Sequence, residues 1–269
     1  MTDLLVRPHA PETDGRVLGI TPESAGWTHV GFAVHRLAPG ATISGGEAAR
    51  EACLVMVSGT ARIVAGDQDF GIVGGRASPF DGPPGSVYVP AGTTWRIEAV
   101  GAAEVAVCSS PGVPGRRPAR AIPPEAVGRS VRGEGTNQRF IRDILPETAA
   151  ADSLLVVEVI TPGGHWSSYP PHKHDRDAPP AETALEETYY HRLNPPQGFA
   201  FQRVYTDDRS IDETMAVEDG CVVLVPRGYH PVGAPHGYDL WYLNTMAGPV
   251  RQWHFHNDPA HAWIVEPKG

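Results

Sequence analysis

Residues 220–232 read GCVVLVPRGYHPV, and residues 85–97 read GSVYVPAGTTWRI. Each opens on glycine, runs through β-branched residues to Val-Pro, turns at x-Gly and enters a second β run. The likeness extends from GSVYVPAGTTWRIEAVGAAEVAVCSS in the first half to GCVVLVPRGYHPVGAPHGYDLWYLNTMAG in the second. Two copies of one hairpin unit at this separation imply an internally duplicated β-barrel. Around them, glycine and proline punctuate short apolar runs, and few stretches carry a helical period. Strands are expected at 31–37, 52–58, 60–65, 85–89, 94–99 and 103–109. After these come 140–145, 154–160, 187–193, 199–205, 214–218, 221–225, 238–243 and 251–255. Helix is confined to a turn near 146–150 and another near 179–185. The Pro/Gly/Arg-rich stretch PGVPGRRPARAIPPEAVGRSVRGEGTNQR reads as a linker. The expected organisation is all-β: a barrel over 1–112, a linker over 113–139 and a second barrel over 140–269.

The two copies differ at one decisive place. Tyr229-His230 stands in the second hairpin where the first has Thr94-Trp95. The second half also carries YPPHKHDRDAPPAETALEETYYH over residues 169–191. His172 and His174, at i and i+2 of an extended segment, point to one side of a sheet. Glu187 on the next strand and His230 on the neighbouring hairpin complete a set of three imidazoles and one carboxylate. Such a set suits a divalent transition metal. Glu187 is preferred to Glu186 because it keeps Tyr189 and His191 in phase; Glu186, pointing the other way, is an alternative ligand or base only at a bulge. The first half has no His-x-His, so the first barrel is expected to lack metal ligands.

Bulk properties narrow the partners. The 22 Lys+Arg against 31 Asp+Glu give a net charge of -9, which argues against nucleic acid and anionic membranes. No apolar run approaches the ~20 residues of a membrane helix. The N-terminus shows no basic region followed by a long apolar one. Cys53, Cys108 and Cys221 sit far apart in sequence among apolar neighbours, which indicates buried free thiols and a reducing, cytoplasmic location. A homo-oligomer is expected, because barrel sheets with exposed edges often pair between subunits.

The paired motifs resemble those of a bicupin, two jelly-roll cupin barrels in one chain. The first cupin motif is matched by His172-Lys173-His174 with Glu187, and the second by Gly220 through Pro226-Arg227-Gly228-Tyr229-His230. The spacing from His174 to Glu187 exceeds the usual cupin gap, so the intervening residues should loop out. The strings EETYYHR, NPPQGFAFQRVYTDD and GYDLWYLNTMAG, with the HNDP ending, are similar to the 5-deoxy-glucuronate isomerase family of myo-inositol catabolism. That family is related to the uronate ketol-isomerases, which share Pro162-Gly163, Trp166, Pro170 and the His-x-His spacing. His191 departs from a tyrosine common in the family. The resemblance implies an aldose–ketose isomerisation of a sugar acid, 5-deoxy-D-glucuronate to 5-dehydro-2-deoxy-D-gluconate.

Such a reaction moves hydrogen between C1 and C2, and a divalent ion chelating both oxygens stabilises the charge that develops on them. Zinc is the first expectation for that ion, with manganese, iron or nickel as alternatives. Arg203, on the 199–205 strand, is the first candidate to grip the substrate carboxylate bidentately. Tyr189, or a metal-bound hydroxide, is the candidate proton shuttle. Two other readings stand beside the isomerase: a cupin dioxygenase using iron, and a sugar-acid-binding bicupin without turnover. His254 and His256 form a second His-x-His, read as packing residues because no carboxylate strand or Pro-x-Gly-x-His follows.

Overall fold

The duplicated hairpins occupy the same place in two barrels. A computed structural model describes residues 3–265. In the first barrel a six-stranded antiparallel sheet runs, edge to edge, Arg120–Ile122, Ser86–Val89, Arg50–Ser58, Ala103–Pro111, Gly31–Leu37 and Arg16–Ile20. It faces a four-stranded sheet of Thr42–Gly45, Trp95–Ala99, Thr60–Ala65 and Gln68–Gly74. In the second barrel a seven-stranded sheet runs Leu5–Val6, Val222–Val225, Glu186–Asn194, Asp239–Ala247, Leu155–Thr161, Arg139–Leu145 and Gly128–Arg132. Its partner sheet comprises Trp166–Ser167, Val232–Gly233, Phe199–Tyr205 and Asp212–Glu218. The pair His172–Lys173 with His256–Asn257 closes one end.

Register makes the duplication explicit. Ala52 lies opposite Val89, which precedes Pro90; Glu187 lies opposite Val225, which precedes Pro226. Counting along the inner face by twos, Ala52, Leu54 and Met56 correspond to Glu187, Tyr189 and His191. On the next strand Val105 and Val107 correspond to Tyr242 and Asn244.

The other faces of the two large sheets pack against each other. One continuous core joins Phe32, Cys53 and Val55 of the first barrel to Tyr190, Leu224 and Trp241 of the second. Two carboxylates clasp the opposite barrel. Glu51, fully buried, accepts the backbone N–H groups of Asp152, Ser153 and Leu154 at 2.8, 2.6 and 2.7 Å. Glu186, its register equivalent, accepts those of Thr28, His29 and Val30 at 2.7, 2.7 and 2.9 Å. A carboxylate placed on three orphan amides is well satisfied, so both serve the junction between barrels. Glu186 is thereby removed from any role as ligand or base.

Several expectations are corrected. Residues 113–139, read as a linker, supply Arg120–Ile122 to the first barrel and Gly128–Arg132 to the second. The Leu5–Val6 strand pairs with Val222–Val225 of the second barrel. No strand covers 251–255, and neither 146–150 nor 179–185 is helical. Among the described residues the α-helix is instead Pro22–Ala25, capped by Thr21 and Ser24 in reciprocal hydrogen bonds. Cys53 and Cys108 are cross-strand partners despite their separation in sequence, and with Cys221 they are buried free thiols. Among the described residues no helix is long and apolar enough to cross a membrane.

Candidate metal centre

The second barrel holds a polar interior built by strand parity and one clamped turn. Glu187, Tyr189 and His191 share the inner face of the Glu186–Asn194 strand, and the flanking Thr188 and Tyr190 face the other way. His172 and His174 come from a short extended segment behind Pro170-Pro171, with the intervening Lys173 directed to Asp207. The residues between His174 and Glu187 bulge outward. Glu182 gathers them by accepting the amides of Asp175 and Arg176 at 2.6 and 3.2 Å. Asp175 in turn accepts the Gly228 N–H at 2.6 Å, which ties the His-x-His segment to the Pro-x-Gly-x-His hairpin. Gly228 has φ 99°, and a Cβ there would meet the Tyr205 carbonyl oxygen at 2.6 Å, so the turn requires glycine.

The structure brings His172, His174, His230 and Glu187 together. The ligand nitrogens of the three histidines lie within 4.8 Å of one another. Glu187 Oε2 is 3.1 Å from His174 Nε2 and 3.3 Å from His230 Nε2. All four residues are at most 8% exposed. The tautomers follow from the outer partners. His174 Nδ1–H donates to the Leu185 carbonyl at 2.9 Å, and His230 Nδ1–H donates to the Gly228 carbonyl at 2.8 Å. Both Nε2 atoms thereby face the centre, as in metal-ligating histidines, and there His174 Nε2 is within hydrogen-bond distance of Glu187 Oε2. Three atoms there are buried without a hydrogen-bond partner: His172 Nε2, His230 Nε2 and Glu187 Oε1. Orphaned buried acceptors are costly, and a cation is the species that satisfies lone pairs converging from several sides. The donor set therefore fits a divalent ion.

Electrostatics keep two of these imidazoles in the ligand form, while at His174 the burial that lowers it is outweighed by the Glu187 hydrogen bond and charge, which hold it above the usual histidine range. Burial, then the neighbouring His230 and His174, hold His172 well below the usual histidine range. Burial, then His174, lowers His230 to about 3. Burial raises Glu187 above the ordinary carboxylate range, as expected for an acid facing a site built to take a positive charge.

Beside this centre lie two tyrosine–serine pairs. The Tyr189 hydroxyl is 2.8 Å from Ser168 Oγ, and the Tyr242 hydroxyl bonds Ser167 Oγ. The two rings pack at 4.9 Å between centroids. Ser168 sits at φ 51°, a left-handed conformation that lets adjacent serines reach both phenols. Burial, then Glu187, pushes the Tyr189 phenol well up, so it is a neutral proton donor and not a phenolate. His191 donates from Nε2 to Gln202 Oε1 at 2.9 Å, and Gln202 donates to the His230 carbonyl at 3.4 Å. Phe255 covers His172 at 4.7 Å between centroids. His256 pairs by backbone with Lys173, and the His254 carbonyl accepts the Thr183 N–H.

Arg203 does not belong to this group. Its side chain is 43% exposed and forks onto both oxygens of Asp212 at 2.7 and 2.8 Å. Strand parity explains the error. Phe199, Phe201 and Arg203 share the outer face, while the inner face carries Ala200, Gln202 and Val204. Ser167, Ser168, Gln202, Tyr242 and Asn244 were missed. The detectable signal for Tyr242 and Asn244 was their pairing register with Tyr189 and His191, once the long strand is aligned.

A two-barrel jelly roll with a histidine-rich centre in one barrel defines the cupin class. Oxalate decarboxylase from Bacillus subtilis shares this fold at 15% identity and a TM-score of 0.65, covering 96% of this chain and 80% of that one. The KduI/IolB family model matches residues 4–264, and the chain belongs to that family. It is 56% identical to the 5-deoxy-glucuronate isomerase of Geobacillus kaustophilus over 269 residues, covering 100% of this chain and 97% of the relative. The isomerase of the same name from Bacillus subtilis strain 168 is 48% identical over 271 residues, covering 99% of this chain and 100% of the relative. An IolB-like protein from Salmonella typhimurium LT2 superposes with a TM-score of 0.94 at 51% identity, covering 97% of this chain and 99% of that one.

Proposed function

We propose that the protein is a metal-dependent isomerase that converts 5-deoxy-D-glucuronate to 5-dehydro-2-deoxy-D-gluconate in inositol degradation. The observation that carries this reading is the convergence of His172, His174, Glu187 and His230 on one buried point with three lone-pair atoms unpartnered. The full-length likeness to named 5-deoxy-glucuronate isomerases supplies the substrate. A divalent ion held by these four residues supplies a Lewis acid for the oxygens on C1 and C2, and leaves open positions if it is six-coordinate. Zinc is our first assignment, and manganese, iron and nickel accept the same donors.

The chain's own residues do the rest. The Nδ1–H bonds of His174 and His230 fix both rings before substrate arrives. Tyr189, held neutral by burial and oriented by Ser168, offers a proton to a substrate oxygen that gains charge. Tyr242 with Ser167 extends this donor wall. Phe255 shields the outer side of His172 from water.

Two further assignments accompany this one. The protein acts in the cytoplasm, consistent with three buried free thiols. It assembles as a homo-oligomer, favoured by Trp166, Phe199 and Phe201, which are 42%, 39% and 49% exposed on the outer face of the second barrel. The deciding experiment incubates the purified protein with 5-deoxy-D-glucuronate and follows the ketose by NMR. Chelation and single-metal add-back are run in parallel with elemental analysis. Turnover lost on chelation and restored by one metal is expected; no turnover with any metal would sink the assignment.

A further inference from the structure

The displacement of Arg203 leaves the substrate carboxylate without a partner, and the far edge of the seven-stranded sheet of the second barrel offers one. The Gly128–Arg132 and Arg139–Leu145 strands pair so that Arg132 lies directly opposite Arg139. Like charges in a cross-strand pair repel, so such a pair is an expense to the fold. Arg139 shares a face with Ile141, which is buried, while Phe140 between them is exposed. Its side chain therefore starts on the inner face of the barrel. It is half-buried, and its guanidinium donates to the Asn137 carbonyl and side-chain oxygens at 3.0 and 3.2 Å. Among the described residues it makes no ion pair. Its strand is anchored beside the serine pairs, because His165 Nδ1–H donates to the Gln138 carbonyl at 2.9 Å.

Register places Arg139 on the face that lines the site: Ile141, two residues on, lies opposite Val159, and Val159 lies opposite Tyr242. The Tyr242 and Tyr189 phenols are among the groups that act on the Arg139 guanidinium. Arg132 differs in two respects. It is exposed, stacked over Trp253 at 5.2 Å, and Asp143 on the same inner face offsets its charge. Arg139 faces no such acid.

We infer that Arg139 is the residue that binds the substrate carboxylate, with Arg132 as a weaker electrostatic second. This rests on the isomerase reading above. A linear six-carbon acid with C1 and C2 at the metal centre projects its C6 carboxylate away from Glu187. The strand that carries Arg139 lies three strands from that of Glu187 in the same sheet, toward its far edge. A half-buried guanidinium with donors to spare binds a carboxylate in fork geometry, which a lysine or a metal could not reproduce there. Arg139 thus acts in selection for an acid over a neutral sugar, and contributes nothing to hydrogen transfer.

The test uses the metal-loaded full chain and two substrates. One is 5-deoxy-D-glucuronate; the other is its neutral analogue with a hydroxymethyl group in place of the C6 carboxylate. Arg139→Gln should raise KM for the acid on the order of 30-fold or more. It should leave kcat within a few-fold and the neutral analogue unaffected. Arg139→Lys should recover only part of the loss, and Arg132→Gln should shift KM by a few-fold. Relief of the arginine–arginine repulsion should leave Tm of Arg139→Gln unchanged or higher. Equal losses on both substrates, or an unchanged KM for the acid, would overturn the inference. Calorimetric binding of D-gluconate, a six-carbon acid that the reaction cannot consume, needs no turnover. Weakened gluconate binding in Arg139→Gln together with an inactive wild type would sink the isomerase reading and keep the carboxylate site. Turnover with unaltered gluconate binding would sink the carboxylate site alone.

Discussion

The two barrels share a sheet order and a hairpin, yet their interiors are chemical opposites. In the first, the inner-face positions are Ala52, Leu54, Met56, Val105 and Val107, and they close over Ile63, Trp95 and Ile97 as apolar packing. In the second, the corresponding positions are Glu187, Tyr189, His191, Tyr242 and Asn244. What both barrels keep is the carboxylate one residue before, Glu51 in one and Glu186 in the other, each spent on backbone amides of its neighbour. The junction therefore needs its acid in both halves, while the interior acid is needed only where a site exists. Stability comes from one barrel's filling and from the shared core. The other barrel carries polar groups that a fold alone would not retain.

The largest expected effect comes from making the second barrel resemble the first. Glu187→Ala, or His174→Ala, should lower turnover on the order of 10³-fold and abolish stoichiometric metal in elemental analysis. In chelated protein, Glu187→Ala should lower Tm, because it strips the buried His174 imidazole of its carboxylate partner. Retained metal and activity in both variants would break the comparison. The reverse exchange, Ala52→Glu, places an unpaired carboxylate in an apolar interior. A loss of about 3–5 kcal/mol is expected, read as a Tm fall of about 2–4 °C per kcal/mol, with no second metal bound.

Much of this contrast was legible in the sequence because strand parity is strict. Once Tyr189 and His191 set the phase, Glu187 had to face inward and Glu186 outward. The two hairpins announced the duplication through Val-Pro-x-Gly alone. The same parity failed for Arg203, because placing it at the site required its face of the strand, which also carries Phe199 and Phe201, to turn inward, whereas the inward face carries Gln202. The linker was misread for a related reason. Arg120–Ile122 and Gly128–Arg132 are short edge strands, and charged edges look like loops. Ser167 and Ser168 were invisible because their use depends on one left-handed residue. The amide clasp of Glu51 joins residues about a hundred positions apart, and no local pattern encodes it.

A smaller effect sharpens the comparison at the proton donor. Tyr189→Phe keeps the ring and removes the hydroxyl that Leu54 never had. Turnover should fall about 10²-fold with KM little changed, and metal content should stay stoichiometric. Loss of metal alongside activity would instead make Tyr189 a packing residue for the ligands.

The smallest effect is a change of slope, at the position where the first barrel has Met56 and the second has His191. Burial lowers His191 to about 4, with the Gln202 hydrogen bond opposing it. An unfolded histidine titrates near 6.5, so between about 4 and 6.5 the unfolded state binds the extra proton. Stability from this group is therefore complete above about pH 6.5 and drains away as pH falls toward 4, by about 3 kcal/mol in all. His191→Met removes that dependence while orphaning Gln202, which costs about 1–3 kcal/mol at neutral pH. Denaturant midpoints for the two proteins, taken from pH 7.5 to 5 and subtracted, cancel every other titrating group that the substitution leaves unperturbed. The wild type's advantage at pH 7.5 should shrink steadily below pH 6.5. A constant difference across that range would mean that His191 is as free to protonate inside the second barrel as outside it, and the polar interior would have to be wet.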